Sequence, residues 1–172
     1  MNNKIYIIGG LASGKSYFAK KLSEKTGIGY FGMDQIVFKD SPDDEERGHE
    51  ERDTIFEETV TKEKWILEGT FTEDWVLSGL TMSSQIIYLD TPPLKRLCRF
   101  IKRTWREGLC KQSELLGRVK LVLGLRYKEL DRTSSGYKKL LEPFKDKVIT
   151  LKSSIRSNKE LEDFIEKQEV VL

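Results

Sequence analysis

The feature that most constrains this chain is a junction near its start, where the apolar run Lys4 to Ile8 breaks into glycine and then into a helical pattern. A short branched run of that kind fits a buried strand. From Ser16 to Lys25 the apolar residues Phe18, Ala19 and Leu22 recur at helical spacing, so the local order is strand, loop, helix. The loop itself, Gly9 to Ser16, reads GGLASGKS and satisfies GxxxxGK[ST] at every fixed position. At average residue usage, chance produces that pattern in roughly one percent of chains this long. Its glycines allow successive backbone N–H groups to turn inward around an anion, and the helix that follows adds the positive end of its dipole. The residues therefore predict a polyphosphate cradle made by Gly9, Gly10, Leu11, Ala12, Ser13, Gly14, Lys15, Ser16 and Tyr17. Lys15 is expected to follow the transferred charge, and the Ser16 hydroxyl to ligate magnesium.

Similar apolar runs recur at Trp65 to Leu67, Ile86 to Leu89 and Val148 to Leu151. Helical patterns fall at Glu46 to Lys62, Pro92 to Arg106, Glu114 to Asp131, Thr133 to Leu141 and Asn158 to Lys167. Strands that alternate with helices imply a parallel sheet covered on both faces. With 172 residues and no Gly/Ser- or Pro-rich linker, one domain spanning residues 1–172 is expected.

Thirty basic against 28 acidic residues leave a net charge of +2, too little for the broad field that non-specific nucleic-acid binding requires. The apolar run at the amino end is shorter than a signal-peptide core, and no segment approaches membrane-spanning length. Cys98, Cys110 and the single His49 offer no zinc-ligand set. These features point to a cytoplasmic protein without a membrane partner. They do not address the oligomeric state.

The phosphate loop serves GTPases, motor ATPases and small-molecule kinases alike. The guanine-reading NKxD motif is approached only at Asn158 to Leu161, which has leucine where the aspartate belongs. Four segments, GGLASGKS, GYFGMDQIVF (Gly29 to Phe38), WILEGTF (Trp65 to Phe71) and IIYLDTPPLKRLCRFIKR (Ile86 to Arg103), follow one another in an order that resembles the adenylate-kinase-like nucleoside and small-metabolite kinases. Within that group the resemblance is to bacterial proteins labelled DNA topology modulation proteins. It implies a three-layer α/β/α P-loop NTPase fold with a five-stranded parallel sheet in order 2-3-1-4-5. It also implies an acceptor-side segment near residues 33–64 and a short lid near residues 104–114.

In such kinases an acid at the end of the third strand helps hold the magnesium waters, and Glu68 occupies that place. Two readings of Asp34 stand side by side: a group that meets the acceptor hydroxyl, and an N-cap for the residues after it. Arg96, Arg99, Arg103 and Arg106 are spaced three, four and three apart and so share one helix face. Arg99 and Arg103 match the positions from which the resembling kinases send arginines to the transferring phosphates, whereas Arg96 and Arg106 are assigned to the surface. Asp90 or Thr91 is expected to cap that helix, with Asp90 the substitute magnesium ligand should Glu68 lie far from the loop. Arg126 and Arg132, beyond the following helix, are compared with the post-lid arginines that return toward the phosphates in the resembling kinases, though no clear motif anchors them. Trp65 is expected in the core, and Phe71 or Trp75 as a surface for a base. The function expected is transfer of the γ-phosphate of ATP, with Mg2+, to a nucleotide or hydroxylated metabolite, with Lys15, Arg99, Arg103 and Asp34 as catalytic residues. The alternatives are an ATP-binding regulator of DNA topology and a slow ATPase.

Overall fold

The computed structural model describes residues 3–40, 45–106, 119, 122, 134–152 and 158–167. Five strands, β1 (Lys4–Gly9), β2 (Tyr30–Gly32), β3 (Trp65–Gly69), β4 (Gln85–Leu89) and β5 (Val148–Leu151), form one sheet. All neighbouring strands are parallel, in the order β2-β3-β1-β4-β5, as the resemblance to adenylate-kinase-like kinases implies. Helices surround the sheet: α1 (Lys15–Thr26), α2 (Met33–Val37), α3 (His49–Val60), α4 (Leu77–Met82), α5 (Pro93–Arg106), α6 (Ser134–Leu141) and α7 (Asn158–Lys167).

Period-two alternation in β1 divides the core into two layers. Tyr6 and Ile8 face a layer with Met33, Phe56, Trp65, Leu80 and Tyr137. Ile5 and Ile7 face the other, with Phe18, Leu22, Ile87 and Phe164. Burial on both faces explains why the strand reads as a continuous apolar run rather than an alternating one. On the second face Phe18 and Phe164 meet edge to face, with centroids 5.7 Å apart, which docks α7 on α1.

The register decides where the chemistry falls. Ile7 of β1 pairs with Glu68 and Ile8 with Gly69, while Gly9 pairs with Leu89. The carboxyl ends of β1, β3 and β4 therefore lie side by side, at the edge of a parallel sheet where crevices form. Behind them Met33, fully buried, accepts a hydrogen bond on Sδ from the Tyr6 hydroxyl at 3.0 Å. It also fills the space where a side chain at position 69 would lie, since a Cβ there would meet Met33 Cβ and Cγ at 2.9 Å.

Two local expectations change. The helix predicted from Glu46 begins instead at His49, because Glu46 bridges antiparallel to Phe38 and the Arg47 amide donates to the Val37 carbonyl. The short helices α2 and α4 are additions, five and six residues long. The predicted segment Glu114 to Asp131 lies outside the described residues except for Val119 and Val122, both helical.

Candidate functional site

The loop from Gly9 to Ser16 connects β1 to α1 at the sheet's carboxyl edge. Ala12 and Gly14 both adopt positive φ, 59° and 101°, a region that costs a residue with a Cβ roughly 1–2 kcal/mol. Ser13 N–H donates to the Gly10 carbonyl at 3.1 Å, which closes the turn. The Lys15 ammonium folds back and donates to the same carbonyl at 3.2 Å.

Outside the turn, the Ser13 carbonyl accepts from Arg99 Nη1 at 2.8 Å and from the Thr91 hydroxyl at 3.2 Å. The Ser13 hydroxyl is buried without a hydrogen-bond partner among the described residues. On the β3 side, the Ser16 hydroxyl donates to Glu68 Oε1 at 2.8 Å. Glu68 thus lies at the loop, and Asp90 is not needed in its place.

A cleft of about 300 Å³ opens over the loop, lined among others by Lys15, Ser16, Asp34, Glu68, Arg99 and Arg103. Of the residues predicted for the cradle, the metal and catalysis, all but Gly9, Gly10 and Ser13 line this one cavity. Its charges are mixed and partly desolvated. Burial lowers the Lys15 pKa, opposed by Glu68 and Asp34 and reinforced by Arg96 and Arg103. Burial raises the Glu68 pKa, opposed by Lys15 and by the Ser16 hydrogen bond. Buried groups whose ionisation is held in balance by specific partners are characteristic of functional sites.

Ser16 and Glu68 bring two oxygen donors together, a set that suits a hard cation such as Mg2+. Among the described residues no group of three or more His, Cys, Asp or Glu forms a metal cage. A cation that takes one or two protein oxygens and completes its shell with phosphate and water fits this arrangement.

Asp34 is exposed and sits in the first turn of α2. That helix is capped by Gly32 without a side-chain hydrogen bond, so the capping reading of Asp34 is set aside. The residue borders two cavities, since it also lines a second hollow of about 470 Å³ with Gln35, Phe38, Lys39, Asp40 and Arg47.

Several expectations are corrected. Arg96 was assigned to the surface with Arg106, but is only 6% exposed. Its guanidinium is packed against the Gly10 backbone, where an added Cβ would meet Cζ at 2.8 Å. The signal was in the sequence, since Arg96 precedes Arg99 by three and shares its face. Neither Asp90 nor Thr91 directly precedes α5, which begins at Pro93. The Thr91 hydroxyl goes to the loop, and Asp90 Oδ1 accepts from the hydroxyls of Tyr88 at 3.2 Å and Ser134 at 2.9 Å. Trp75 is no free platform. It packs edge-on against Phe56 and tilted against Phe71, and the Arg52 guanidinium covers its ring at 4.5 Å. Trp65 is fully buried, as expected. His49 and Arg106 are exposed.

Tyr137 was not foreseen. Its hydroxyl lies 2.8 Å from the Thr70 carbonyl and 3.3 Å from the Gly9 carbonyl, which ties α6 to the ends of both β3 and β1. Residues 107–114 of the expected lid, with Arg126 and Arg132, lie outside the described residues. No described helix is long and apolar enough to cross a membrane.

No family model matches the chain, and no curated protein sequence does. Solved structures do. A sugar kinase from Janibacter sp. HTCC2649 superposes with a TM-score of 0.57 at 15% identity, covering 99% of this chain and 96% of that one. Shikimate kinase from Acinetobacter baumannii, in complex with shikimate, gives 0.53 at 17%, covering 98% and 94%. Deoxyadenosine kinase from M. mycoides with bound dCTP gives 0.52 at 15%, covering 97% and 99%. Identities this low speak for the architecture alone, and in architecture the chain matches the folds of these P-loop kinases over nearly its whole length.

Proposed function

We propose that the protein is an ATP-dependent phosphotransferase that moves the γ-phosphate of ATP to the hydroxyl of a small acceptor, a nucleotide or hydroxylated metabolite. The observation that carries the reading is the convergence of Lys15, Ser16, Glu68, Arg99 and Arg103 on one cleft. Phosphoryl transfer asks a protein chiefly for positioning and for cations around the transferring group. Lys15 and the loop amides hold the β- and γ-phosphates, and Arg99 and Arg103 follow the charge that spreads over the equatorial oxygens. Ser16 and Glu68 would hold magnesium, which would supply positive charge to neutralise the phosphates.

Asp34, at the boundary of the two cavities, accepts the acceptor's hydroxyl proton, and the hollow beside it holds the acceptor body. The structural neighbours, which include sugar, shikimate and deoxyadenosine kinases, support acceptors of this size. The resemblance to DNA topology modulation proteins gives the second reading, a regulator without transfer activity. Less supports it, because Arg96 and Arg99, which it would need for DNA, are turned to the loop.

The test is a coupled assay of purified protein with ATP and magnesium against nucleoside monophosphates and hydroxylated metabolites. At least one acceptor stimulates ADP release, and phosphorylated acceptor accumulates in equal amount. ADP release that no acceptor stimulates refutes the transfer reading.

A further inference from the structure

Arg96 lies outside the lining of the cleft, yet it is a nearly buried cation directly behind the loop. Burial lowers its pKa, opposed by Tyr137, Tyr88 and Asp90. No hydrogen bond or ion pair engages its guanidinium among the described residues. Asp90, the carboxylate nearest in influence, is already taken by Tyr88, Ser134 and, at 3.8 Å, Lys138. A buried charge without a paired counterion is costly.

The cost is compounded across the Gly10 peptide. Its carbonyl takes the Lys15 ammonium on one side, and its α-carbon meets the Arg96 guanidinium on another. Two like charges flank one backbone unit and repel one another across it. An anion with several charges held by the loop relieves both. A space-filling role for Arg96 gives no reason for a cation here, since a methionine fills comparable volume without desolvating charge.

We propose that Arg96 is a positioning residue for a polyphosphate: it holds the Gly10 peptide from behind and supplies a fixed positive charge that favours di- and triphosphate chains over a single phosphate. The inference rests on the polyphosphate reading of the loop. The guanidinium does not touch the ligand; it acts through the loop backbone and through the field behind it. The absence of a side chain at Gly10 is part of the same device, because any Cβ would displace the guanidinium.

The test is calorimetric titration of wild type, Arg96→Met, Arg96→Gln and Arg96→Lys with ATP, ADP and AMP, each with magnesium. The neutral variants weaken ATP by about tenfold or more and AMP by much less, as expected of an interaction that scales with ligand charge at short range. Arg96→Lys restores most of the preference for ATP. A purely structural Arg96 predicts instead that all three nucleotides weaken alike, in step with the melting temperature, and that result overturns the proposal. So does an unchanged ATP to AMP affinity ratio in whichever neutral variant folds. If wild type itself shows no preference for ATP over AMP and Lys15→Ala changes nothing, the polyphosphate reading fails first and takes this inference with it. An intact wild-type preference with indifferent Arg96 variants removes this inference alone.

Discussion

Replacing Tyr137 with phenylalanine isolates a single hydroxyl. The ring, 1% exposed and tilted 5.6 Å from that of Tyr88, stays in place. What disappears is the oxygen 2.8 Å from the Thr70 carbonyl and 3.3 Å from the Gly9 carbonyl. One hydroxyl has one proton to give, and the shorter contact, to Thr70, takes it. Leaving a buried acceptor without its donor costs about 1–3 kcal/mol. For a chain of this size each kcal/mol shifts the melting temperature by roughly 2–4 °C, so Tyr137→Phe is expected to melt about 2–12 °C below wild type. The assay is thermal unfolding followed by circular dichroism, with a urea series run beside it. The urea slope should not change, since the surface exposed on unfolding is the same. A melting temperature within about a degree of wild type would refute the claim that this hydroxyl ties α6 to the ends of β1 and β3.

Two further outcomes follow from the cleft. Lys15→Ala removes the cation folded onto Gly10 and abolishes measurable ATP binding; calorimetry that returns wild-type affinity contradicts the assignment of the loop. Glu68 carries a pH signature. Its raised pKa means that the folded state keeps the proton to higher pH than the unfolded chain does. The carboxyl's contribution to stability is thus complete below the ordinary glutamate range and is lost as pH climbs through the raised value. Glu68→Gln cannot ionise, so wild-type stability relative to this variant, taken from urea unfolding at a series of pH values, should decline as pH rises above about 4.5. A flat or rising difference contradicts the sign.

The junction at Ile8 and Gly9 was legible because its signals are local: branched apolar residues, a fixed glycine and lysine spacing, then helical periodicity. The strand order and Glu68 came by resemblance, and the register of Ile7 against Glu68 supplies their physical basis. Arg99 was reached from its offset and does meet the loop. Arg96 was misassigned although its helical face was known, because periodicity gives an angle around α5 and not what lies across from it. Tyr137 was beyond reach for a different reason. Its partners Gly9 and Thr70 stand 128 and 67 residues away, and no local pattern encodes a contact that the whole sheet must first bring together. The late start of α3 belongs to the same class, since the bridge between Phe38 and Glu46 is a tertiary event. The helix α4 exposes Leu77 and Met82, so its six residues carry little of the amphipathic signal by which a helix is read.

The thioether of Met33 has a consequence for oxidative damage. Its sulfur is held by the Tyr6 hydroxyl and lies against Gly69, and the side chain is fully buried. While the chain is folded, peroxide has no path to this sulfur. A chain oxidised before folding carries a polar, larger side chain to the same place, and there it pushes on Gly69, the neighbour of Glu68, while displacing the helix turn that bears Asp34. A sulfoxide formed before folding would press on the end of β3 beside Glu68, and one formed afterwards would have to wait for the fold to open.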